Sequence, residues 1–350
     1  MHRQLYGSSR TIRGLLYALS LAIALTLSPI PGARAAEAEM VTQTITLVDE
    51  TRPVKASMGF AGSPERRIDV MIWRPEGQKR PLPLIIYSHG TFGHANNAKY
   101  LVKALVDAGY VVAAPDYPLT SRRAYTWITF ADVSDLSEQV RDLGFIITSL
   151  TGDANLGKLI DPARIGTTGH SLGAVTSYFG SFSARLRDPR IKATAPIAAG
   201  DPVQSALDTP MGMAGAGYWP GSVPVLFLSA EHDVFTALTG PPHVALSRVA
   251  PPKHEVMVKG GVHVWFTDPR EQAGPGKNPD CLFFEEHLPQ MTLPMCQMRY
   301  SLIDPEKQRA IARTALVAFF DAYLKGDKAG RAKLGAISAT FPEAELKSSD

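Results

Sequence analysis

Short apolar runs separated by amphipathic stretches set the layout of this chain. From Met40 to Leu47 every second position points one way, with Val41, Ile45 and Leu47 on that side, as in a half-buried strand. Arg67–Trp73 alternates likewise and stops at Pro75-Glu76-Gly77. These two read as an antiparallel lead-in. The runs that follow are continuous: Leu82–Tyr87, Tyr110–Pro115, Arg164–Thr168, Lys192–Ala199, Val223–Leu228 and Glu255–Val258. Continuous runs of this length are strands buried on both faces. Between them lie helical spacings, at Lys99–Ala108 (Leu101, Leu105 and Val106 on one face, Gly109 as the stop), at 132–150 (Val133, Leu136, Val140, Leu143, Ile147) and at Ile311–Leu324. Strand and helix in alternation predict an α/β fold, a mostly parallel sheet covered by helices on both faces. Right-handed crossovers then bring the strand C-terminal ends, and the loops leaving them, to one edge, where ligands bind. Two stretches interrupt the rhythm after strands, 202–222 and 268–300, and both are expected to hang over that edge. The polar end, 326–350, reads as weakly ordered.

The first residues do not belong to this pattern. Arg3, Arg10 and Arg13 precede the apolar Leu15–Leu27, followed by Pro29, Pro31 and Ala33-Arg34-Ala35. That is the order of a secretory signal peptide over 1–35, and its apolar part is short for a membrane span. The catalytic domain would then be 36–325, with no transmembrane span in the mature chain and a periplasmic or secreted location. Cleavage after Ala35 removes four arginines and no acid, taking the formal charge from +3 to −1. No basic field is left to attract nucleic acid. With 45% apolar and 20% charged residues, the remainder has the composition of a globular domain. Cys281 and Cys296 lie in the exported part, where an oxidising compartment favours a disulfide between them.

Chemistry enters at Gly169-His170-Ser171-Leu172-Gly173, between the run ending at Thr168 and the helix-like Ala174–Phe179. G-x-S-x-G between strand and helix is similar to the nucleophile elbow of the α/β-hydrolases, which lifts the serine oxygen clear of the sheet. A serine hydroxyl needs a base to take its proton, and the base needs an acid to fix its tautomer. In the hydrolase order the acid and then the histidine follow the serine. Asp233, in the loop after Val225–Leu228, is the first candidate for the acid. Asp201, at the end of the preceding strand, is the alternative, and Glu231 comes third. Among nine histidines, His263 is the candidate for the base, in Gly260-Gly261-Val262-His263-Val264-Trp265-Phe266 directly after the last strand. His243 and His254 precede that strand, and His170 belongs to the elbow as a supporting group. An oxyanion needs backbone N–H donors. Leu172, next to the serine, and Thr91, in the loop Ser88-His89-Gly90-Thr91-Phe92-Gly93, are in position to supply them.

Ser88-His89-Gly90 after a buried strand, Gly-His-Ser-x-Gly, and Gly-x-Val-His-x-x-Phe together resemble the secreted platelet-activating factor acetylhydrolases and related dienelactone-hydrolase-like serine esterases. The resemblance spans roughly 68–325. It implies an α/β-hydrolase fold and cleavage of carboxylic esters without metal or other cofactor, with Ser171 as nucleophile, His263 as base and Thr91 and Leu172 as oxyanion donors. In the acetylhydrolases the acid leaves the strand just after the nucleophile unit, which points to Asp201; the wider hydrolase pattern points to Asp233. The helix end Phe319–Gly326 is similar to many dienelactone-hydrolase relatives, whose own nucleophile is cysteine. The partner expected is a small-molecule or lipid ester, taken up by a monomer. Phe92, Tyr218, Trp219 and Trp265 are the expected cleft residues. Met211 and Met213 beside Tyr218 and Trp219 would suit a lipase or polyester depolymerase, or else a packed loop. A hydrolase fold serving only as a binding module is a further alternative.

Overall fold

A computed structural model of the protein describes residues 40–57, 60–122, 132–203, 213, 217–268, 273–291 and 293–350. The leader read at 1–35 and Met211 lie outside the described residues. Nine strands form one sheet in the order β1-β2-β4-β3-β5-β6-β7-β8-β9. They are β1 Met40–Asp49, β2 Arg66–Pro75, β3 Leu82–Ser88, β4 Val111–Asp116, β5 Ile160–His170, β6 Ile191–Ile197, β7 Val225–Ala230, β8 Lys253–Val258 and β9 Ala344–Ser349. From β4 through β8 every neighbouring pair is parallel. The lead-in pairs, β1 with β2 and β2 with β4, are antiparallel, as their alternating pattern predicts. Helices α1 Lys99–Asp107, α2 Leu136–Gly152, α3 Leu172–Phe182, α4 Val234–Thr239, α5 Pro242–Arg248, α6 Asp280–His287, α7 Pro305–Leu324, α8 Lys328–Gly335 and α9 Ile337–Thr340 connect and cover them.

The two-residue period of the strands sorts their side chains between two cores. Ile85, Val112, Leu226 and Leu228 pack with Leu101 and Leu105 of α1 and with Leu316 and Phe320 of α7. Their neighbours in sequence face the other way. Leu84, Ile86 and Val111 meet Leu143, Ile146 and Leu150 of α2, and Val225 and Phe227 meet Tyr178 and Phe182 of α3. The loops after β3, β5, β7 and β8 therefore leave along one edge of the sheet.

One expectation about the periphery changes. The end of the chain is ordered: 328–340 carries α8 and α9, and 344–349 is β9, antiparallel to β8. Leu334, Ile337 and Ala344 are buried there, with Phe341 and Leu346 half-buried against the same core. They are too sparse to make a visible period, which corrects the reading of a weakly ordered end. A buried ion cluster joins β2 to α2. Arg66 on β2 is fully buried and donates to Asp142 (2.7–2.9 Å) and Asp135 (2.7 and 3.2 Å) at the start of α2. Removing one partner of a buried pair strands the other charges away from water. Arg66→Ala is expected to cost about 3–5 kcal/mol, read as a lower urea midpoint of unfolding.

Candidate active site

The serine sits at the turn between β5 and α3 with φ 55° and ψ −120°, a left-handed region that a β-carbon normally disfavours. The turn holds because both flanking glycines pack against backbone. A β-carbon on Gly169 would lie 2.4 Å from the Gly173 carbonyl oxygen, and one on Gly173 would lie 2.1 Å from that of Ser88. The Ser171 amide donates to the Ile197 carbonyl at 2.9 Å, tying the turn to β6. The strain is thus imposed by the sheet.

The loop after β3 lies against this turn. Buried His89 fixes it: its Nδ1 donates to the Gly90 carbonyl at 2.7 Å, and the Tyr117 amide donates to its Nε2 at 3.1 Å. Phe92 and Gly93 turn their amides inward, to the carbonyls of Thr120 and Gly90. At the start of α3 the amides of Ala174 and Val175 return to the Ser171 carbonyl. Among the described residues no group of the chain accepts a hydrogen bond from the amide of Thr91 or of Leu172, the latter being a first-turn donor without a partner inside its helix.

Asp233 and His263 meet. His263 Nδ1 donates to Asp233 Oδ2 at 2.8 Å, with both side chains almost fully buried. The other oxygen of Asp233 accepts the Thr236 amide at 2.9 Å, capping α4. The imidazole is packed between Phe235 and His170, each with a ring centroid 4.4 Å away. Burial alone would lower the pKa of His263. The charge of Asp233, its hydrogen bond and the charge of Asp280 outweigh it and hold the ring above the ordinary histidine value. His170 has no such partner, and burial together with the charge of His263 keeps it well below that value. Its Nε2 donates to the His263 carbonyl at 3.1 Å, the supporting role read from the elbow.

Thr91, Ser171, Leu172 and His263 line one cavity of about 340 Å3. Apart from Thr236 and Thr239, the rest of its wall is apolar: chiefly Val175 from α3, Phe235 and Leu238 from α4, and Phe283, Phe284, Leu288 and Met291 from the stretch that carries the cysteines. Cys281 and Cys296 are joined in a disulfide with Cα atoms 5.5 Å apart.

Several expected residues are elsewhere. Asp201 is buried against Arg248, whose Nη1 donates to both its oxygens at 2.6 and 2.8 Å. Glu231 accepts the Gly260 amide at 2.8 Å. None of the four expected cleft residues lines the cavity. Phe92 packs with Val54, Leu119 and Phe60, under the guanidinium of Arg122. Tyr218 and Trp219 pack with Met213 beside the C-terminal end of α3, where the Trp219 amide donates to the Phe182 carbonyl, and the Tyr218 hydroxyl donates to the Arg248 carbonyl. Trp265 is buried and borders a different hollow, beside Gly276 and Ile303. Aromatic residues after a strand mark a loop at the edge; they do not say which side of the loop turns inward. The stretch after β8 supplies the wall instead. The pair Phe283-Phe284 beside Cys281 was the available signal for it. Asp280, also missed, is fully buried and accepts backbone amides from both the acid loop and the histidine loop.

No family model and no curated protein matches the chain. Among solved structures, a ferulic acid esterase from Streptomyces cinnamoneus is similar, with a TM-score of 0.63 and 19% identity over 89% of this chain and 97% of that one. The fold is that of the α/β-hydrolases. Within the α/β-hydrolase fold the elbow follows the central strand β5, and the loops after β7 and β8 bring Asp233 and His263 to its side.

Proposed function

We propose that this protein is an exported serine hydrolase that cleaves carboxylic esters through an acyl-enzyme. The observation that carries this reading is the 2.8 Å bond from His263 to Asp233, made at the wall of the cavity that Ser171 also lines. His263 Nε2 takes the proton of Ser171 Oγ as that oxygen attacks the ester carbonyl carbon. The amides of Thr91 and Leu172 stabilise the resulting oxyanion; one such donor is worth about a hundred- to thousandfold in rate. The alcohol leaves with the proton from His263. A water, deprotonated by the same ring, then attacks the acyl carbonyl, and the acid departs as Ser171 regains its proton.

The apolar wall favours an ester with a sizeable apolar acyl group, and the likeness to a ferulic acid esterase supports an ester as substrate. Leu238 and Met291 at the rim are 50% and 41% exposed, which favours a long-chain or polymeric ester as the second reading. Hydrolysis of p-nitrophenyl esters from acetyl to palmitoyl, by wild type and Ser171→Ala, tests the proposal and ranks these substrates. Absence of turnover across the series and on ferulate esters would sink it. Export is checked by the N-terminus of the mature protein, expected after Ala35.

The acid limb of kcat/KM follows His263. Protonation removes the lone pair that must accept the serine proton, so activity is lost as pH falls through the pKa of the ring. With that pKa raised by Asp233 and Asp280, the midpoint is expected above 6.5. A pH–rate profile of the wild type measures it.

A further inference from the structure

The stretch after β8 does more than wall the cavity. Asp280 opens α6 and is wholly buried, yet it does not line the cavity. Its Oδ2 accepts the amide of Val234 at 3.1 Å and that of His263 at 3.0 Å, and its Oδ1 accepts the amide of Val264 at 3.0 Å. Two residues earlier, Asn278 Nδ2 donates to the His232 carbonyl at 2.6 Å, while its Oδ1 accepts the Asp280 amide at 2.9 Å. The acid loop is therefore held on both sides of Asp233 and the histidine loop at His263 itself, all by one turn of chain. Cys281, the next residue, anchors that turn to Cys296.

We propose that Asp280 is a positioning residue that clamps the loops of Asp233 and His263 together, with Asn278 as its second jaw and the disulfide as its anchor. The inference rests on the reading of Ser171, His263 and Asp233 as a triad. Its physical basis is that the two loops leave different strands: they are tied near those strands by the Gly260 amide to Glu231 and the His232 amide to the Gly261 carbonyl, but at the reacting groups the direct hydrogen bond between them is that of His263 to Asp233. A carboxylate accepting three amides from both loops fixes their separation without touching substrate. Misplacement by about 1 Å can cost a hundredfold in rate. The groups facing His263 are Asp233 from the acid loop, Asp280 from α6 and His170 from the elbow, the last kept neutral by burial and by the charge of His263. Burial and the charge of Asp233 raise the carboxyl of Asp280 above the usual range, while His263 and two of the amides pull it down. Its negative charge favours the imidazolium.

The test is Asp280→Asn. An amide nitrogen would face a backbone N–H at one of the two oxygen positions, so the clamp opens and the charge is lost together. The expected result is a kcat lower by about tenfold to a hundredfold with KM nearly unchanged, and a His263 protonation midpoint moved to lower pH. The midpoint is followed by NMR on histidine-labelled protein without substrate. A variant that loses only thermal stability, with kcat and the midpoint as in the wild type, overturns the proposal and leaves Asp280 as ordinary bracing. Should Asp280→Asn fail to fold, Asn278→Ala keeps the charge, frees the His232 side and takes the acceptor from the Asp280 amide; lower kcat at constant KM then supports the clamp, and an unchanged kcat overturns it. Ser171→Ala, assayed alongside, tests the esterase reading separately. If the wild type cleaves no ester, that reading fails and the His263 midpoint alone decides the role of Asp280.

Discussion

Ser171→Ala is expected to lower kcat by about 10^6, with KM little changed. The substitution removes one oxygen from a mostly apolar cavity wall, so binding of an apolar acyl group survives while covalent chemistry does not. The turn should persist, because its shape is enforced by Gly169, Gly173 and the bond from the Ser171 amide to Ile197, none of which involves the hydroxyl. A residual acceleration of about 10^3–10^4 over water would remain from the oxyanion donors and binding. Steady-state assays on the best p-nitrophenyl ester measure the loss. Labelling by a fluorophosphonate should vanish in parallel. A variant that keeps a tenth of the wild-type rate would place the nucleophile elsewhere.

Asp233→Asn carries the next largest effect, about 10^4 in kcat. Asparagine can still accept the Thr236 amide and cap α4 as well as aspartate does, so folding is little affected. The other end of the side chain now offers N–H groups to His263 Nδ1. The ring turns to the tautomer with its proton on Nε2, the atom that has to receive the serine proton. Asp201→Asn is the companion. It weakens the pair with Arg248, 2.6 Å at its shortest, and is expected to lower the melting temperature while leaving kcat near wild type. The reverse ranking of the two variants would move the acid to Asp201 and refute the triad drawn here.

The strand runs were legible in the sequence because burial on both faces leaves no choice of residue: Leu82–Tyr87 and Val225–Leu228 are apolar wherever they are read. The serine and histidine were legible because the elbow demands glycines at fixed spacing and the chain order demands a histidine after the last strand. The acid was not decided. Asp201 and Asp233 both leave strands at the same edge, and what separates them is partners distant in sequence, Arg248 beside Asp201 and His263 beside Asp233. The cavity wall was misread for a related reason. Tyr218 and Trp219 are large and apolar, but they pack beside the end of α3, whereas Phe283 and Leu288 stand in 268–300, a stretch expected over the edge without its lining residues being picked out. α6 has no clear apolar face, since its position is set by the bridge and by Asn278 and Asp280. Buried backbone contacts of this kind leave almost no periodic trace.

The ninth strand has a consequence for solubility. β9 pairs with β8 from Ala344 opposite Val258 to Ser349 opposite Lys253, and its outer positions are mostly exposed and polar, including Glu345, Lys347, Ser348 and Ser349. Without it, β8 would present a row of unpaired amides and carbonyls beside buried Val256 and Val258. Such an edge is a template for a strand from another molecule. These six residues thus keep one molecule's sheet from continuing into the next, and a chain trimmed at Glu343 should self-associate at concentrations where the intact protein stays dispersed.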